Sequence, residues 1–136
     1  MESINYIAIL VVSIVSIVIG WLWYGPIFGK IWVKEAGFTD EMLAQGKTKG
    51  MAKSYILTFI FCLISAYVLS YFMIVQSVAT ISSAMSLAFL VWLGFQLPIH
   101  LGTVLWDMKS LKLFMLTSVH SLVTLLASGI ILVLFS

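Results

Sequence analysis

The sequence predicts an all-α integral membrane bundle of four transmembrane helices, with a short interfacial amphipathic segment after the first. Three observations predict it. Hydrophobic residues make up 62% of the 136 and charged ones only 9%, whereas a water-facing domain carries about 25% charged residues. The charges punctuate the chain: none falls between Glu2 and Lys30, between Lys53 and Asp107, or after Lys112. The apolar stretches between them suit helices of ~20 residues, at ~1.5 Å rise each, crossing a ~30 Å hydrocarbon core.

The first span is read as residues 4–24. It has no basic leader, its apolar run is long and no small-x-small cleavage site follows, so it is expected to be retained. Pro26 cannot donate a backbone hydrogen bond and is expected to end the helix near Tyr24. In the loop 25–53, Ile27, Phe28, Ile31 and Trp32 recur on one helical face, with Lys30 and Lys34 on the other. That pattern suits a short helix lying in the headgroup layer. Trp23, Tyr24 and Trp32 are expected to form an aromatic belt there, and with Pro26 and Phe28 they make an interfacial motif. Gly37 is suited to close this helix, Thr39 with Asp40 and Glu41 to open another, and Gly46 and Gly50 to turn into the second span.

As a single helix, residues 54–106 would be ~80 Å long, far beyond one membrane crossing. The stretch must fold back, and Gln76, Ser77, Thr80, Ser82 and Ser83 are the residues suited to a turn. This gives spans at 54–74 and 83–105, followed by the last at 111–135, in a single transmembrane domain over 1–136. All seven lysines lie in the loops 25–53 and 106–112, and there is no arginine. The positive-inside rule therefore places both loops in the cytoplasm and both termini outside the cell membrane.

The polar residues inside the spans are spaced by three or four, or multiples, and so line helix faces. The first span carries Ser13, Ser16, Gly20 and Tyr24; the second Ser54, Thr58, Cys62 and Ser65; the fourth Thr117, Ser121, Thr124 and Ser128, with His120 beside them. Such seams join helices in lipid, where no hydrophobic force does so. In the third span Gln96, His100, Thr103 and Asp107 form one ridge, interrupted by Pro98, whose ring would crowd the Gly94 carbonyl and kink the helix. An antiparallel hairpin of the last two spans sets His120 level with Leu97, within about a turn of Gln96 and His100. At ~13 Å depth a charged imidazolium would be costly, so His120 is expected to be neutral, with Gln96 as its partner. Asp107, at the membrane edge, is expected to pair with Lys109 or Lys112.

Several classes are excluded. A net charge of +2, dispersed along the chain, makes no nucleic-acid patch. Cys62, the single cysteine, cannot form an internal disulfide. No phosphate loop, HExxH, CxxC or nucleophile elbow is present, and nothing marks an enzyme. No cofactor or metal is expected, since two histidines alone cannot close a zinc site, although a bis-histidine haem would need only these two. The expected partners are the lipid bilayer, a second copy of the chain in a homo-oligomer, and an unidentified small molecule or ion.

The run 20–32, with Gly20, Trp21, Trp23, Tyr24, Gly25, Pro26, Phe28, Gly29 and Trp32, resembles the hallmark of a prokaryotic four-helix membrane family catalogued as domain of unknown function 1761. Asn5, Ala66 with Tyr67, Gly94 with Phe95 and Pro98, Leu113 with Phe114, and Gly129 extend the resemblance over the whole chain. The resemblance implies four spans and an interfacial segment, and it implies no activity. The reading that results is a transport or conductance component with a polar route along the third span, formed by Gln96, His100, Thr103 and Asp107 with His120. A non-catalytic membrane scaffold and a His-dependent redox protein are the alternatives.

Overall fold

A computed structural model describes residues 3–136, apart from the side chains at 48 and 49. Its helices are α1 (Tyr6–Leu22), α2 (Gly29–Ala36), α3 (Asp40–Lys49), α4 (Ala52–Val75), α5 (Ile81–Val91), α6 (Leu97–Leu105) and α7 (Leu111–Leu134). Four helical stretches are long and apolar enough to cross a membrane: Tyr6–Ile27, Ala52–Val75, Ile81–Leu105 and Leu111–Leu134. The chain is therefore a helical membrane protein, and no strand occurs among the described residues.

Each boundary has a local cause. Asn5 caps α1 by accepting from the Ile7 and Ala8 amides at 3.0 and 3.1 Å. Its Nδ2 also donates to the Phe135 carbonyl at 2.7 Å, pinning the start of the first span to the end of the last. Thr39 caps α3 through the Met42 amide, and Gly37 closes α2 at a φ of 80° that favours glycine. Gly46 lies inside α3 rather than in the turn expected of it, and Gly50 alone makes that turn, with φ 77°. Thr80 and Ser83 form a reciprocal capping box at the start of α5. Ser110 caps α7 through the Leu113 amide.

Both prolines are absorbed by π-turns. The first span does not end near Tyr24; it widens into a π-turn over Trp23–Ile27. The Phe28 amide reaches back five residues to the Trp23 carbonyl at 3.0 Å, a spacing that tolerates the amide missing at Pro26. The third span does the same over Trp92–Gln96, where the Leu97 amide bonds the Trp92 carbonyl. Pro98 then stands in the first turn of α6, where its missing donor costs nothing.

The fourth span is the hub. It packs against α1, α5 and α6, while α1 also packs against α4. The second and third spans share at most a marginal contact, so the bundle is open between them. Small residues permit the hub's close contacts: a side chain at Gly129 would come within 3.2 Å of the Ala84 carbonyl oxygen. Buried apolar residues concentrate at the end carrying both chain ends, where Ile9, Val12, Leu69, Met73, Leu132 and Val133 interlock. Toward the lysine-bearing end the first, second and fourth spans leave space between them.

Candidate functional site

That space forms two adjoining cavities. The deeper one, about 160 Å³, is walled by Ser16 of α1, Cys62 and Ser65 of α4, Gln96, and Ser121, Thr124 and Ser128 of α7. The larger, about 450 Å³, runs past Gly20, Tyr24 and Thr58 to Ser54, Met51 and Trp32 at the lysine-bearing end. Ser16, Cys62, His120 and Thr124 line both, so the cavities meet at His120. The polar seams of the first, second and fourth spans thus converge on one vestibule. Leu69 lines the deeper cavity, and beyond it the fully buried Met73 and Leu132 close the bundle.

His120 is held by aromatic rings. Its imidazole lies 4.9 Å from the Tyr24 ring and 6.0 Å from that of Trp23, centroid to centroid. Trp23 stacks on Phe28 at 4.7 Å, and Tyr24 on Trp32 at 5.0 Å. Of the aromatic motif, Trp23 and Tyr24 thus lie against the histidine, and Phe28 and Trp32 back them. Gly20 leaves room for the ring: a Cβ there would meet Nε2 at 3.8 Å. That nitrogen is buried, and no protein group among the described residues bonds it. A buried imidazole nitrogen left unpaired costs about 1–3 kcal/mol, a penalty that a polar occupant of the cavity would relieve.

The vestibule wall is largely apolar, with hydroxyls set into it at intervals. Thr58, Ser121, Thr124 and Ser128 each donate their hydroxyl to a carbonyl of their own helix, at 2.7, 2.8, 2.9 and 2.7 Å. Their oxygens keep lone pairs free for the cavity. No Lys, Asp or Glu lines either cavity. Such a wall suits a small polar group that needs no full counter-charge.

The sequence-predicted residues are only partly assembled. Gln96 lines the deeper cavity with His120, but the hydrogen bond expected between them is not formed. His100 lies within electrostatic reach of His120, and its own Nε2 is also buried without a protein partner. His100, Thr103 and Asp107 line neither cavity. The Thr103 hydroxyl bonds the His100 carbonyl at 2.8 Å. Asp107 is exposed and forms no ion pair with Lys109 or Lys112 among the described residues. Lys109 instead reaches the Ala36 carbonyl at 3.3 Å, because the turn after α6, with Met108 at φ 56°, lies beside the end of α2. No group of three potential metal ligands forms among the described residues.

Trp92 is a position that sequence reasoning passed over. Trp23 and Trp92 each open a π-turn, each is followed two residues later by glycine, and each donates its indole N–H to α7. The acceptors are the Leu116 carbonyl at 3.1 Å and the Ser118 carbonyl at 2.8 Å. The signal was present as Trp-x-Gly ahead of proline in both spans. A family model described as a protein of unknown function, DUF1761, matches residues 7–133. The chain belongs to the DUF1761 family. No curated protein and no solved structure matches it significantly. The 20–32 run characteristic of this DUF1761 chain supplies Gly20, Trp21, Tyr24, Gly25 and Trp32 to the larger cavity.

Proposed function

We propose that the chain is a membrane transport or conductance component whose route is the vestibule between α1, α4 and α7. This moves the route off the third-span ridge, which contributes only Gln96. The observation that carries the reading is the meeting of two hydroxyl-bearing cavities at His120, whose Nε2 has no protein partner among the described residues. The passing solute is small and polar, either neutral or a monovalent cation, because a largely apolar wall offers scattered hydroxyls and no fixed charge. The lysine-bearing end faces the cytoplasm and both chain ends face outside, so the vestibule opens inward and the Met73–Leu132 packing closes it outward. Passage requires that packing to part, and the two π-turns are the natural flexing points.

Proteoliposomes test this reading. Ammonium and urea influx, followed by stopped-flow light scattering, is expected to exceed that of protein-free vesicles. Modification of Cys62, which lines both cavities, by a small impermeant cationic thiosulfonate is expected to block the excess. Influx equal to that of empty vesicles, or a Cys62 thiol inert to the reagent from either side, would overturn it.

A further inference from the structure

A second site lies outside the vestibule and does not depend on the transport reading. Between α2 and the first turns of α7 is a groove of about 400 Å³. Its walls are Trp23, Phe28, Met115 and Val119, a surface suited to hydrocarbon. Its rim carries Lys34, in the last turn of α2, and Lys112, in the first turn of α7, with a single carboxylate, Glu35. Two ammonium groups thus face one acid, and no ion pair neutralises either among the described residues. The bond from Lys109 to the Ala36 carbonyl holds the end of α2 against the turn leading into α7, fixing the two lysines on either side of the groove. The first turn of α7 contains no acidic residue, so its free amides add positive potential.

We infer that this groove binds one anionic glycerophospholipid, with its phosphodiester between Lys34 and Lys112 and an acyl chain along Trp23, Phe28 and Met115. An apolar groove with a net positive rim matches a molecule that is apolar at one end and anionic at the other. A zwitterionic lipid carries its own cation and gains little from the lysines. A free phosphate leaves the apolar wall uncovered.

Native mass spectrometry of the detergent-purified protein, with dioleoyl phosphatidylglycerol, dioleoyl phosphatidylcholine or inorganic phosphate, tests the inference. Phosphatidylglycerol is expected to be retained preferentially, and each of K34Q and K112Q to weaken that retention about fivefold. The K30Q/K47Q variant, whose lysines lie off the groove, is expected to keep it. Equal retention of both lipids, equal binding of inorganic phosphate, an unchanged preference in K34Q/K112Q, or an equal loss in K30Q/K47Q would each overturn the inference. A second measurement is independent of lysine replacement. Phosphatidylglycerol brominated on its acyl chains is expected to quench tryptophan fluorescence more than brominated phosphatidylcholine does, with the excess lost in Trp23→Phe. Equal quenching by the two lipids would count against the site.

Discussion

His120 couples the two cavities, and its replacements separate packing from passage. Leucine removes the polar group together with its unmet requirement, so H120L is expected to leave stability unchanged or to raise it, by at most about 1–3 kcal/mol. Aspartate adds a carboxylate where no cation lines the wall, and H120D is expected to cost several kcal/mol. Thermal unfolding in detergent checks both. If H120L destabilised as strongly as H120D, the imidazole would have to be held by a group that is structurally essential. The histidine was legible in the sequence because an ionisable residue inside a span is rare and costly. Its partner was not. Helical spacing reports which face a residue shares, and leaves open whether Gln96 turns its amide to the imidazole or to the cavity.

At the scale of elements, the two π-turns act as a matched pair. Each presents an indole N–H to a carbonyl of α7, so the first and third spans grip the hub from its two neighbouring sides. Trp23→Phe and Trp92→Phe keep an aromatic ring and remove one donor, and each is expected to cost about 1 kcal/mol. Chemical unfolding in mixed micelles measures it; no change in either variant would mean that the indoles only fill space. Helix existence and the short α2 and α3 were readable from periodicity and caps, since these are local signals. The π-turns were not readable. Proline announces a disruption, but whether the chain stops, kinks or widens depends on what packs alongside, here the carbonyls of α7.

Over the whole molecule, the tight packing at one end follows from residue size. Ala8, Ala66, Ala84, Ala88 and Gly129 let the helices close where the chain ends meet. Around His120, by contrast, the large rings of Trp23 and Tyr24 pack against the imidazole, and Trp32 packs against Tyr24. The lysine asymmetry predicts how this shape sits in the membrane. In a Cys62→Ala background, cysteine placed at Lys47 is expected to react with an impermeant maleimide only from the cytoplasmic side, and at Ser136 only from outside. The reverse pattern would turn the vestibule outward.

By itself the sequence determined the class of protein, the four apolar helical stretches, the caps at Gly37 and Thr39, and which polar residues share a helix face. Charge spacing, hydropathy and capping act within a few residues of each other, so they are written along the chain. Only the tertiary structure decided that three of those polar faces meet while the third span contributes one glutamine, that Trp23 and Tyr24 lie against His120, and that Lys34 and Lys112 share a groove. Helix faces in lipid are chosen by close fit and interhelical hydrogen bonds rather than by the hydrophobic effect. Fit depends on every neighbour at once, and no single helix carries it.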